Sequence, residues 1–159
     1  RRPHAKRIGG DTDPFSGSPR QRARGRVQEG EPSPPVVFGV NARPSWLAPT
    51  MQRVAELSSL PKGWDGHRAN PPRLDVLKFA TQLLAQVMAL NTPAPQIVPL
   101  SNGGVQLEWH FARVDLEIEI IEPNKVVASL EPMWGPAPPP LELRSDFGAL
   151  VPWIEKLTQ

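Results

Sequence analysis

The chain has 159 residues, of which 39% are hydrophobic, and this length suits one domain around a single hydrophobic core. It contains 21 prolines and no cysteine, which excludes disulfides, thiolate nucleophiles and cysteine-ligated zinc. No apolar run approaches the roughly 18 to 20 residues that cross a bilayer, and no signal-peptide pattern is present, so we expect a soluble, cytoplasmic protein.

The net charge of +2 is spread unevenly along the chain. Residues 1–30 carry eight Lys or Arg against three Asp or Glu, whereas residues 31–159 carry ten against thirteen. The first part of the chain also lacks an apolar period and runs into a proline-rich stretch. We therefore expect residues 1–44 to form a disordered basic arm and linker.

Four closely spaced arginines mark this arm: Arg20, Arg22, Arg24 and Arg26. Clustered guanidinium groups neutralise phosphates and release counterions, which makes nucleic-acid binding through these side chains one hypothesis. A solubilising extension without a binding role is the other.

Two helices are predicted next. Apolar residues recur at helical spacing after Trp46 and predict a helix from about Ala48 to Ser59. A stronger helical pattern follows Pro71 and Pro72, with Asp75 in its first turn, where the helix dipole favours a carboxylate. The apolar stripe predicted for this second helix consists of Leu74, Leu77, Leu84, Val87 and Met88, widened by Leu83 and Leu90.

The rest of the chain is predicted to be largely strand. Residues 96–100 are typical of an edge strand, because Pro99 has no N–H for a ladder. Residues 104–120 alternate between apolar and polar positions and form a hairpin with Ala112 and Arg113 at its turn. A further strand over residues 126–130 and a short closing helix near Pro152 complete the chain.

These elements predict an α+β fold in one domain over residues 45–159. Its sheet is a three- to four-stranded antiparallel meander, with two main helices on one face and a short C-terminal helix.

The hairpin register follows from its turn. It places four apolar pairs on one surface and, on the other, His110 opposite Asp115, Glu108 opposite Glu117 and Gln106 opposite Glu119. Like charges directly across a strand pair destabilise it, so something must offset the facing carboxylates.

Three interpretations of this acidic surface stay open. Glu108 and Glu117, with His110 or Asp115, could ligate Mg²⁺ or Mn²⁺ and support a metal-dependent hydrolase or phosphoryl-transfer enzyme. The surface could instead be the solvated side of an antiparallel sheet. It could also dock a basic partner or the arginine-rich arm of the chain itself.

Two tryptophan-containing loops have two interpretations each. In the loop after the first helix, Asp65 can close a local turn on its own backbone while Trp64 packs on the core, or Asp65 and His67 can form an acid/base pair. Trp134 stands beside the proline-rich residues 136–140, where it either marks a contact patch or closes one end of the core.

Several of these motifs occur in an order that resembles a widespread group of small, uncharacterised bacterial proteins. The motifs are the W-D-G turn at residues 63–66, the G-G-V-Q-L-E-W strand at 103–109 and the acidic strand at 115–120, and the resemblance covers about residues 55–131. It implies a toxin–antitoxin, immunity or defence-associated partner role. His67 departs from the aromatic or other residue expected after the turn, so no role is transferred to it.

The sequence favours a non-enzymatic bacterial protein-binding module that needs no metal or cofactor. The metal-dependent enzyme and the nucleic-acid-binding arm are the alternatives. The predicted partner-binding residues are Trp64, Asp65, Glu108, His110, Asp115, Glu117, Glu119 and Trp134.

Overall fold

The computed structural model describes residues 42–159. Nearly all of the predicted disordered arm, including the four arginines Arg20, Arg22, Arg24 and Arg26, lies outside the described residues. Within the described part, no helix has both the length and the apolar composition required to span a membrane.

Three helices and five strands follow one another along the described chain. They are α1 (Leu47–Ser58), α2 (Leu74–Val87), β1 (Gln96–Pro99), β2 (Val105–Phe111), β3 (Val114–Glu122), β4 (Lys125–Pro132), β5 (Leu141–Leu143) and α3 (Val151–Glu155). Short 3-10 turns at Gly148–Leu150 and Lys156–Thr158 flank α3, so the predicted closing helix is present as a mixed segment.

The five strands form one antiparallel sheet in the order β1-β2-β3-β4-β5. The predicted α+β class and the meander are confirmed, but the predicted number of three to four strands is too low. The additional strand, β5, has only three residues and directly follows the prolines of residues 136–140. Three residues are too few to display an alternation of their own, so pairing with β4 is what makes this segment a strand.

The bounds of α1 and the start of α2 agree with the prediction, but α2 ends at Val87, before two members of its predicted apolar stripe, Met88 and Leu90. Leu77, Leu83 and Leu84 are buried as expected, whereas Leu74 and Leu90 are exposed. Leu74 is the first residue of α2 and lines the open side of the cleft between α1 and α2, and Leu90 lies beyond the end of the helix. The burial predicted for these two leucines is therefore wrong.

The hydrophobic core lies between the helices and one face of the sheet. The inward side chains of β2 and β3 alternate strictly, and those of β4 continue the same layer. Trp109 is buried in this layer and its indole Nε1 donates a hydrogen bond to the carbonyl oxygen of Pro93, 2.8 Å away. Because each fully buried large apolar side chain contributes roughly 1.5 to 3 kcal/mol, this layer holds the register of the hairpin in place.

The open edge at β1 carries two features that discourage pairing with another strand. Pro99 has no backbone N–H, and the Arg53 Nε donates to the carbonyl oxygen of Ile97 at 3.0 Å. The predicted edge position of this strand is confirmed.

Candidate functional site: the acidic face of the sheet

The face of the sheet opposite the helices carries the polar positions of every strand. The register pairs Glu108 with Glu117, Gln106 with Glu119 and His110 with Asp115, as predicted. The other strands extend this pattern, because Glu131 of β4 faces Asp115 and Glu142 of β5 faces Val127, the neighbour of Glu119. We call the following residues the acidic face: Glu108, His110, Asp115, Glu117, Glu119, Glu131 and Glu142.

Basic side chains do little to neutralise this surface. Lys125, at the start of β4, forms an ion pair with Glu122 at 3.4 Å, beside the turn between β3 and β4. Within residues 42–159, none of the six carboxylates of the acidic face pairs with a lysine or arginine. The face therefore presents a net negative charge to whatever lies in front of it.

His110 connects two of the carboxylates. Its Nε2 lies 3.2 Å from an oxygen of Glu108 on the same strand, and its Nδ1 lies 3.3 Å from an oxygen of Asp115 across the hairpin. Hydrogen bonding to Glu108 and then to Asp115 raises the pKa of His110 above its ordinary value of 6.5. The arrangement therefore favours the protonated ring.

Glu108 is the most enclosed member of this group. Its side chain is 18% exposed, against 49% for His110 and 51% for Asp115. One carboxylate oxygen accepts a hydrogen bond from the amide of Gln106 at 3.0 Å, and the other contacts His110. Neighbours two residues away on its own strand thus offset the negative charge that Glu117 places opposite Glu108.

A group of exposed apolar side chains adjoins the acidic face at the β2–β3 turn. Phe111 is 43% exposed, Met133 62% and Trp134 81%. The backbone N–H of Met133 donates to the carbonyl oxygen of Arg113 at 2.9 Å, which ties the end of β4 to the turn. We call these three exposed residues the hairpin-end patch.

Apolar and acidic groups share one depression here. Its volume is about 420 Å³, and Phe111 and Met133 line it together with Asp115 and Glu131. The depression therefore joins Phe111 and Met133 of the hairpin-end patch to Asp115 and Glu131 of the acidic face, and Trp134 follows Met133 directly in the chain. The exposure of Trp134 favours the contact-patch interpretation over closure of the core.

Trp64 and Asp65 lie at the opposite end of the sheet. The N–H of Asn70 donates to the carbonyl oxygen of Ser101 at 2.9 Å, just ahead of the first residue of β2. Seven residues of β2 separate that end from the turn at Ala112, a span of about 20 Å. The structure thus places Trp134 at the same end of the hairpin as His110 and Asp115, while Glu108 and Glu117 lie further along the strands. Trp64 and Asp65 lie at the other end, which is the end nearer Glu119.

The loop around Asp65 is held by hydrogen bonds to the backbone. One oxygen of Asp65 accepts from the N–H of His67 at 2.9 Å and of Ala69 at 3.2 Å, and the indole of Trp64 donates to the carbonyl oxygen of Asn70. These contacts match the local-turn interpretation. Nothing in them joins the side chains of Asp65 and His67 as an acid/base pair.

The geometry gives the metal hypothesis no support. Among residues 42–159, no three or more His, Asp or Glu side chains come together in a way that could hold a metal ion. The nucleic-acid hypothesis depends on arginines outside the described residues.

No family model, curated protein or solved structure matches this chain. The likeness to the bacterial W-D-G group stays a prediction.

Sequence reasoning missed several members of this surface. Glu131 continues the alternation of β4 and could have been assigned from that pattern. Glu142 could not, because β5 was not predicted. Phe111 occupies an apolar position of β2 and was expected to be buried, but it is exposed beside the β2–β3 turn.

Proposed function

We propose that the chain is a non-enzymatic protein-binding module that takes a basic polypeptide segment on its acidic face. The observation that carries the proposal is a sheet face of six carboxylates, none of them paired with a described lysine or arginine, that shares a depression with exposed apolar side chains at the end of the hairpin. The resemblance to the W-D-G group adds a bacterial setting and an immunity or defence-associated role to this proposal.

The exposed hairpin-end patch favours a binding role for the acidic face over a role limited to solubility. A solvated sheet face needs charge, but it needs no exposed tryptophan beside it. Protein interfaces combine apolar or aromatic anchors with a polar rim, and tryptophan is enriched among the residues that dominate binding energy. Trp134 and Met133 supply such anchors, and Asp115 and Glu131 stand at their border.

Charge complementarity supports a basic partner. Six carboxylates repel an acidic segment and attract lysine and arginine side chains, which steers encounter and excludes wrong partners. An arginine can also lie over the exposed ring of Trp134 through a cation–π contact. The partner segment is therefore expected to carry several arginines or lysines and at least one apolar side chain.

A labelled octa-arginine peptide provides a direct probe of the acidic face. We expect the full chain to bind this peptide with an affinity that falls as salt is added, because exposed charges are screened. Glu108→Lys combined with Glu117→Lys should weaken binding by about tenfold or more, since it reverses two adjacent charges at the centre of the face. The melting temperature should fall only modestly: the double variant keeps like charges across the pair, and its cost is the loss of the Glu108 contacts with Gln106 and His110.

A matched control reverses two acids elsewhere. Glu56 lies on α1 and Glu155 on α3, both exposed, so Glu56→Lys with Glu155→Lys changes the net charge by the same amount. The control should bind octa-arginine nearly as well as the unaltered chain. Equal losses in both double variants would show attraction to overall charge rather than to this face, and would overturn the proposal.

A further inference from the structure

The contacts of His110 require two ring protons. Carboxylates accept hydrogen bonds and cannot donate them when ionised, and a neutral imidazole has a single N–H. Nε2 at 3.2 Å from Glu108 and Nδ1 at 3.3 Å from Asp115 can both be hydrogen bonds only in the imidazolium form. In the neutral ring, one nitrogen would direct its lone pair at a carboxylate.

We propose that His110 is a proton-operated switch of the acidic face: its imidazolium occupies the carboxylates of Glu108 and Asp115, and loss of one proton releases them for a cationic side chain of the partner. This inference rests on the proposed function and adds regulation to it. Histidine suits this role because its ordinary titration range lies close to neutral pH.

The charged groups around His110 all favour the protonated form of its ring. On its own strand the neighbour is Glu108, on β3 the directly paired residue is Asp115, and on β4 Glu131 faces Asp115 in turn. Gln96 of β1 faces Glu108 and carries no charge. Every charged group in this set is acidic, so the elements around the ring favour its protonated form.

Protonation also changes what a basic partner encounters. The imidazolium adds one positive charge to the face and engages two of its carboxylates, one of which lines the depression with Phe111 and Met133. A partner arginine must then displace His110 before it can reach Asp115 from the hairpin-end patch. With the ring neutral, this competition ends, and partner binding tightens as pH rises.

The test uses the full chain and the octa-arginine peptide at constant ionic strength. We expect binding to be roughly threefold tighter at about pH 8.5 than at about pH 5.5, the size typical of one exposed charge contact. The six carboxylates are the same in the original chain and in the histidine variants, so a pH dependence that disappears with the imidazole belongs to His110. His110→Gln should make the affinity nearly independent of pH, and His67→Gln, in the exposed loop at the other end of the sheet, should keep the pH dependence.

A second measurement needs no partner. The ring-nitrogen NMR shifts of His110 in the free chain should show both nitrogens protonated at about pH 6 and one proton lost at higher pH. A single ring proton throughout, or octa-arginine affinity that does not vary with pH, would overturn the switch while leaving the binding function intact. Absence of octa-arginine binding at every pH would overturn the proposed function and the switch together.

Discussion

Glu108 and Glu117 lie directly opposite each other in the β2–β3 pair, yet the groups that bond Glu108 come from its own strand. Gln106 and His110 each approach one oxygen of its carboxylate. The like-charge pair is therefore tolerated by local contacts, and the charge of Glu117 stays available to solvent or to a partner.

Replacing Glu117 in the Glu108–Glu117 pair should change stability and binding in opposite directions. Glu117→Lys removes the repulsion and places an ammonium group opposite Glu108, so we expect the free energy of unfolding to rise by a few tenths to about 1 kcal/mol in urea denaturation. Octa-arginine binding should weaken at the same time. Glu155→Lys on α3 is the control and should change neither quantity appreciably, while a loss of stability in Glu117→Lys would contradict the role assigned to the pair.

Substitutions of Trp134 and of Trp109 should have opposite effects, the first on binding and the second on stability. Trp134→Ala should leave the free energy of unfolding within about 0.5 kcal/mol of the original, because the ring is exposed. Octa-arginine affinity should fall roughly threefold through the loss of a cation–π contact. Trp109→Phe should instead cost about 1 to 3 kcal/mol of stability, because the part-buried carbonyl oxygen of Pro93 loses its donor and the smaller ring fills the buried site less well. A large destabilisation by Trp134→Ala would show that Trp134 closes the core.

Substitutions of Asp65 test whether its carboxylate serves to close the local turn of the W-D-G loop. Asp65→Ala removes the acceptor for two backbone N–H groups and should lower the free energy of unfolding by about 1 kcal/mol. Asp65→Asn keeps a side-chain oxygen and should recover most of that loss. If Asn behaved like Ala in thermal denaturation, the carboxylate would have a purpose other than closing the turn.

Thr50 has the only buried side-chain nitrogen or oxygen atom without a hydrogen bond among residues 42–159. Thr50→Val keeps the shape of the side chain and removes that hydroxyl, so we expect a gain of about 1 kcal/mol in the free energy of unfolding. Thr50→Ser keeps the hydroxyl, loses a methyl group and should destabilise. Calorimetry of the three proteins checks the order, and a loss of stability in the valine variant would reveal a partner for the hydroxyl.

The stability of the hairpin should depend on pH through His110. Because the pKa of His110 is raised in the folded chain, its contribution is fully present below the ordinary value of 6.5 and is lost as pH rises through the folded value. His110→Gln should therefore be less stable than the original chain at about pH 6 and nearly equal to it at about pH 8.5. A stability difference that stays constant over this range would contradict the contacts with Glu108 and Asp115.

Much of the fold follows from periodicity. The alternation of residues 105–120 predicts all seven cross-strand pairs of the hairpin, because a slip by one residue would move every apolar side chain to the solvent side. The helical spacing predicts both ends of α1 to within one residue, but it extends the stripe of α2 to Leu90, three residues beyond the observed end at Val87. The failures are β5 and the burial of Leu74, Leu90 and Phe111. They occur where an element is too short to show a period, or where a helix or strand begins or ends.

The acidic face was predictable by the same reasoning, since residues on alternate positions of one strand share a surface. The chain by itself therefore determined which side chains of the hairpin share a face and which carboxylates oppose each other. Only the tertiary structure decided that Trp134 and Met133 adjoin the acids while Trp64 stands at the far end, and that both nitrogens of His110 meet a carboxylate. Those relationships depend on where loops and strand ends come to lie, and local sequence periodicity carries no information about that.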